Sequence, residues 1–213
     1  MTLLRIDASI QGDRSASSAL ADRVQAEFAA ARPDVPVVRR HLGNEPLPST
    51  AWPLAIAGSF TPEADRTADQ QAAVALAQTV AGELRDADSA VLALPLYNWG
   101  VSQHVKAWID LAIAGAPHGS QLLAGKPVAL VVTRGGAYGP GTPKEGWDHS
   151  IDYLRRVIGE VWGADLTVIE RELTLVGVNP ALDEFAELAE LMHKTATEAA
   201  VEAGSSIAAR HPA

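Results

Sequence analysis

Short apolar runs alternate along the chain with longer stretches in which apolar residues recur every three or four positions. The short runs are Leu3–Ala8, Val35–Leu42, Ala90–Pro95, Val128–Thr133 and Asp165–Glu170. The third and fourth, AVLALP and VALVVT, are apolar at every register, the pattern of strands covered on both faces as in a parallel sheet. The second alternates in character. Between the runs, Leu20, Val24 and Phe28 repeat every four residues, and Ala73, Ala77, Val80 and Leu84 form a second stripe. Thr67 and Gln70 stand before that stripe with the spacing of a capping box. Val105, Trp108, Ile109 and Ala112 follow the i, i+3, i+4, i+7 rule behind Ser102, a good N-cap. Trp147, Ile151, Leu154 and Ile158 predict a fourth helix. Asn179-Pro180 predicts the start of the last, which would bury Phe185, Leu188, Met192 and Ala196.

Five strands alternating with helices predict an α/β fold with helices on both faces of one parallel sheet. Short connections and the right-handed crossover rule favour a doubly wound, flavodoxin-like sheet of order 2-1-3-4-5. One domain is expected over residues 1–205, with 206–213 as a frayed tail. The longest stretch without periodicity, Gly43–Ala68, is rich in Pro, Ser and Thr and carries Trp52 and Phe60. Irregular stretches of this length are usually functional or interface loops.

Composition narrows the chemistry. With 47% hydrophobic and 20% charged residues, the 213-residue chain has the make-up of a soluble globular domain. It has no cysteine, which removes disulfides, thiol nucleophiles, iron–sulfur clusters and cysteine zinc sites. The six histidines show no paired metal spacing, so no metal is expected. A net charge of −9 argues against a nucleic-acid partner. No run approaches 18 apolar residues and the N-terminus reads as a strand, so no membrane insertion and a cytoplasmic location are expected.

Open α/β sheets bind ligands at the carboxyl ends of their strands, so the segments after the strands carry the chemical reading. Ser9-Ile10-Gln11-Gly12-Asp13-Arg14-Ser15-Ala16-Ser17-Ser18 is a hydroxyl-rich loop entering a helix. Free amides and the helix dipole favour a phosphate there, although plain N-capping would use the same residues. It is neither a Walker motif nor G-x-G-x-x-G. Pro95-Leu96-Tyr97-Asn98-Trp99-Gly100 sets two aromatics and an amide side chain where a planar heterocycle would stack, or simply turns the chain into the next helix. Thr133-Arg134-Gly135-Gly136-Ala137-Tyr138-Gly139-Pro140-Gly141 has four glycines in seven residues, which allow close backbone approach and a nest of amides, or a flexible surface loop.

Taken together, Ser9, Ser15-Ala16-Ser17, Leu96-Tyr97-Asn98-Trp99 and Thr133-Arg134-Gly135-Gly136 resemble the FMN-dependent NADH azoreductases and NAD(P)H:quinone oxidoreductases of the flavodoxin-like superfamily. The resemblance runs from Leu3 to about Ala203. It implies that Ser9, Ser15, Ala16 and Ser17 hold the FMN phosphate. Pro95, Leu96, Tyr97, Asn98 and Trp99 would contact the isoalloxazine, and Thr133, Arg134, Gly135 and Gly136 its pyrimidine edge. It also implies a homodimer and a ping-pong reaction: NADH or NADPH gives hydride to flavin N5, and a quinone or azo compound then takes two electrons. The backbone of Asn98 and Trp99 would serve the ring near N5. Tyr138 or His149 would give a proton to the reduced acceptor, with a solvated surface role the alternative for His149. For Arg134 the alternative is an ion pair that ties down the glycine loop. Trp108 suits a core or interface position.

The resemblance departs between Asp110 and Lys126, where the shorter LAIAGAPHGSQLLAGK replaces a longer aromatic excursion that roofs the family's pocket. This bears on azo reduction more than on FMN binding. Two other classes compete. A flavodoxin-type carrier would need a Thr/Ser-x-Thr-Gly-x-Thr phosphate loop, which Ser9–Ser18 lacks. A scaffold without flavin would have no reason to keep three ligand loops.

Overall fold

A computed structural model describes residues 1–210. Five parallel strands form the central sheet: β1 (Leu3–Asp7), β2 (Val37–His41), β3 (Ser89–Ala93), β6 (Pro127–Thr133) and β7 (Asp165–Arg171). Their order is β2-β1-β3-β6-β7, the doubly wound 2-1-3-4-5 arrangement in strand sequence. Every residue of β1, β3 and β6 is buried, as their unbroken apolar runs require. The edge strand β2 is half exposed and carries Arg39 and Arg40, charges that discourage edge-to-edge pairing.

The two sheet faces have separate cores. Leu4, Ile6, Leu92 and Leu130 point to α3 (Ala68–Asp86) and α4 (Gln103–Ala114), where Trp108 and Trp162 meet edge to face at 5.4 Å. Trp108 is thus a core residue, fully buried. Leu3, Val91, Val131 and Ile169 face α1 (Ala16–Ala31) and α6 (Ala186–Ala209). The Leu20, Val24 and Phe28 stripe is buried as its spacing predicts. Thr67 and Gln70 form the reciprocal capping box at the start of α3, and the Ser102 hydroxyl caps α4 through the Val105 amide.

Four expectations need correction. The stretch Gly43–Ala68 is not wholly irregular: α2 (Ala51–Ser59) lies within it and buries Ala51 and Ala55 against α3 and α4. Nine residues with Ala and Gly on the inner face give too weak a stripe to register as periodicity. The helix expected from Trp147 begins only at Ile151, as the short α5 (Ile151–Leu154) running into a π-helix over Arg155–Val161. The reason is Asp148, whose carboxylate accepts from the amides of Ser150 and Ile151 and so sets the helix start there. In the last helix, Leu188 is exposed and the buried line runs through Ala189, Ala196, Ala200 and Ala203. Small residues are needed because α6 lies against α1, with Gly204 over the Val24 carbonyl. Finally, the chain expected to fray from residue 206 stays helical to Ala209, with Ile207 and Ala208 buried; residues 211–213 lie outside the described residues.

Parallel pairing sends all five strands the same way, so the segments after β1, β3, β6 and β7 converge on one edge of the sheet. That edge also holds a small antiparallel hairpin, β4 (Leu96–Tyr97) and β5 (Gly100–Val101).

Candidate functional site

At this edge lies a cavity of about 360 Å³, within the range of small-molecule sites. Ser9, Gln11, Arg14, Ala16 and Ser17 form one wall, and Pro95 to Asn98 another. Thr133, Gly135, Gly136, Tyr138 and Lys144 form a third, closed by Thr174, Leu175 and Val178. The protein has 26 acidic residues, yet this lining includes two cations and no carboxylate. A larger surface groove of about 670 Å³ lies between β2 and α3, near the other end of the strands. Its carboxylates Glu83 and Asp86 are already paired, with Arg40 at 2.5 Å and Arg85 at 3.0 Å. Volume does not mark the site; convergent chemistry does.

The first wall is built on the start of α1. Ser15 is the N-cap: its hydroxyl accepts from the Ser18 amide at 3.1 Å and lies 3.2 Å from the Ser17 hydroxyl. The amides of Ala16 and Ser17 meet no acceptor among the described residues. Two free amides at a helix N-terminus, with the Ser9 and Ser17 hydroxyls and Arg14 beside them, are suited to an anion. Gly43 sustains the wall from behind, because a Cβ there would lie 2.9 Å from the Ser9 carbonyl carbon.

The second wall is the β4–β5 turn. Asn98 and Trp99 have φ of 48° and 64°. Positive φ at both central residues is what a tight two-residue hairpin turn demands, and for tryptophan it is a strained conformation. As the central residues of the turn, Asn98 and Trp99 lie outside the ladder, and their amides have no acceptor among the described residues. The Tyr97 hydroxyl reaches across to the first wall, accepting from the Ile10 amide at 3.1 Å and lying 3.3 Å from the Ser9 hydroxyl.

The third wall is zipped to the segment after β7. The amides of Leu173, Thr174 and Leu175 donate to the carbonyls of Gly136, Arg134 and Gly135. The amides of Gly135 and Gly136 have no acceptor among the described residues. Gly135 lies against the Leu175 side chain, which would have to shift to admit a Cβ, since that atom would come within 2.7 Å of a Leu175 methyl. Arg134 is buried among three carboxylates: Asp148 at 2.5 Å, Glu170 at 2.7 Å and Glu172 at 3.6 Å. Burial works to lower its pKa, but the bonds from Glu170 and Asp148 outweigh this and raise it, so it stays a cation. Burial likewise works against the Asp148 carboxylate, but hydrogen bonds from Ser150 and the Arg134 charge hold its pKa below the ordinary value. Glu172 also accepts from the Tyr138 amide at 2.8 Å, which fixes the glycine loop. Burial, aided by Asp148, raises the Tyr138 pKa, so its hydroxyl remains a proton-bearing donor at neutral pH.

The structure brings together Ser9, Ala16, Ser17, Pro95, Leu96, Tyr97, Asn98, Thr133, Gly135, Gly136 and Tyr138 around the cavity. Three expected contacts lie outside its lining. The Ser15 side chain is consumed as the helix cap. The Arg134 guanidinium faces its ion pairs, the alternative raised from sequence. The Trp99 ring, 46% exposed, packs edge to face on Trp147 at 6.0 Å. His149 anchors the hairpin through its amide, which donates to the Trp99 carbonyl, and its exposed side chain does not line the cavity. No residue between Asp110 and Lys126 lines the cavity either; Leu123 bonds instead to the Trp162 carbonyl, beneath the sheet face. Sequence reasoning missed Gln11, Arg14, Lys144, Thr174, Leu175 and Val178. The last three follow β7, and the rule applied to β1, β3 and β6 would have found them.

Comparison with known proteins bears on the fold and the family. The model of a family described as having the flavodoxin-like fold matches residues 1–196. A Frankia alni protein named FMN-dependent NADH:quinone oxidoreductase is 37% identical over 88% of this chain and 91% of its own. A Streptomyces avermitilis protein of the same name is 34% identical over 100% of this chain and 99% of its own. Among solved structures, an azoreductase from Bacillus anthracis str. Sterne superposes with a TM-score of 0.79 at 23% identity, covering 97% of this chain and 99% of that one, which shows the shared fold. The chain belongs to the flavodoxin-like family that includes these FMN-dependent NADH:quinone oxidoreductases.

Proposed function

We propose that the protein is an FMN-dependent NADH:quinone oxidoreductase that works by a ping-pong, two-electron mechanism through flavin N5. The observation that carries this reading is the cavity at the strand ends. It combines free amides on three walls with two cations and no acid, in a strongly acidic protein. The residues fit FMN: a hydroxyl and amide cradle for its phosphate, a turn and a glycine loop for its ring. FMN held there would supply the redox chemistry, two-electron transfer between NADH and a quinone or azo acceptor.

The chain's own groups do the rest. The Ala16 and Ser17 amides, the Ser9 and Ser17 hydroxyls and Arg14 hold the phosphate. The amides of Asn98 and Trp99 orient the ring, and those of Gly135 and Gly136 offer positive dipole ends to its pyrimidine edge. Tyr138 holds a proton at its hydroxyl for the acceptor. The relatives' names favour this reading over a one-electron carrier. The exposed Trp52, Ile56 and Phe60 of α2 and its flank (Phe60 is 87% exposed) are the surface proposed to meet a second copy in a homodimer.

Steady-state rates tested against both substrates check the order of events. With NADH varied at several fixed benzoquinone concentrations, double-reciprocal plots should be parallel, because NAD⁺ leaves before the quinone binds. Lines that converge would show both substrates bound at once and defeat the ping-pong reading.

A further inference from the structure

Lys144 is the one lysine among the described residues that makes neither a hydrogen bond nor an ion pair. Lys106 and Lys194 pair with Asp110 and Glu198, and Lys126 donates to carbonyls at the end of α3. Lys144 instead lines the cavity. Its ammonium lies 5.4 Å from the centre of the Tyr138 ring, a cation–π distance. It sits over Gly136, where a Cβ would come within 3.3 Å of Nζ. The loop that carries it is fastened at the Tyr138 amide by Glu172 and at Gly141 by Glu145. An uncompensated ammonium, half-buried and placed above Gly136, whose amide is unengaged, is a stored positive charge. In a partly dry site such a charge acts on whatever negative charge forms nearby.

We propose that Lys144 sets the redox balance of this site, its ammonium favouring the reduced, anionic flavin ring over the oxidised, neutral one. This rests on the reading that Gly135 and Gly136 face the pyrimidine edge of FMN. Hydride transfer brings the ring two electrons and one proton, so one negative charge is gained, and it resides on that edge. NADH is oxidised to NAD⁺ in the same step. A cation there stabilises the product of the first half-reaction and leaves the affinity for oxidised FMN nearly unchanged.

The test is the two-electron midpoint potential of bound FMN, measured by anaerobic dye equilibration, in the wild type and in Lys144→Arg, Lys144→Gln and Lys144→Glu. Lys144→Gln should weaken reduced relative to oxidised flavin about tenfold, a fall of ~30 mV for a two-electron couple. Lys144→Glu should fall further, and Lys144→Arg should stay near the wild type. A loop merely loosened by mutation would weaken both redox forms alike and leave the potential still, as would an unused lysine; either result overturns the proposal. A potential that does not move, with a raised KM only for a carboxylated benzoquinone, would assign the ammonium to the acceptor and overturn it too. A wild type that binds no FMN would defeat the flavin reading itself, whereas a flavin-loaded wild type with an unmoved variant series defeats only the role of Lys144.

Discussion

Replacing Ser17 with aspartate is expected to raise the dissociation constant for FMN by at least about a hundredfold. Ser17 is 1% exposed, it lines the cavity, and its amide is one of the two free donors at the start of α1. A carboxylate there removes a hydroxyl donor to an anion, about 1.5–3 kcal/mol, and sets a like charge beside the phosphate. The fold should survive, because an acidic residue in the first turn of a helix is favoured by the dipole. Ser17→Ala separates the two effects and should cost roughly tenfold, the loss of one hydrogen bond to a charged group. Fluorescence quenching of FMN on titration measures both, with circular dichroism as the check on folding. Unchanged affinity in the aspartate variant would remove the first wall from the site.

The second large effect is on stability and leaves the flavin alone. Gly115, the C-cap of α4, packs so closely on α3 that an added Cβ would overlap the Ala77 carbonyl and lie 2.8 Å from the Gln78 amide. Backbone cannot swing aside as a side-chain tip can, so α3 and α4 must part. Gly115→Ala should cost about 3 kcal/mol. For a chain of this size that lowers Tm by roughly 6–12 °C. The position lies at the far end of α4 from Ser102, so the FMN dissociation constant at low temperature should not change. A variant with wild-type Tm would show that the two helices are not in the close contact described.

The parts of the fold that were legible are those where one physical signal dominates. The unbroken apolar runs at Ala90–Pro95 and Val128–Thr133 are too short for buried helices and read as strands covered on both faces, and they became β3 and β6. The Thr67–Gln70 and Ser102 caps are local chemistry that tertiary packing did not override. What stayed hidden depends on partners distant in sequence. The burial of α6 follows small residues because α1 lies against it, which no periodicity in α6 reveals. Asp148 sets the start of α5 while also gripping Arg134, fourteen residues earlier.

The site divides in the same way. Each loop had a competing use, as a helix cap, a turn or a surface loop, and it was their joint position after three strands of one sheet that flagged them. Which atoms face the cavity was not legible. Ser15 and Ser17 are two residues apart and chemically alike, yet one caps α1 and the other lines the cavity. Arg134 is surrounded by carboxylates that arrive from β7 and from the loop before α5. Arg14 and Lys144 entered only when folding showed which charges are left without a counterion.

The most direct measurement is a visible absorption spectrum of the purified protein, taken after FMN addition and desalting and then again with anaerobic NADH in the same cuvette. The expected result is a yellow protein that holds about one flavin per chain, bleaches on NADH, and recovers its colour when a quinone is added. Colour that persists after NADH would point to a carrier served by another reductase, and a colourless protein after desalting would contradict the assignment of the cavity to FMN.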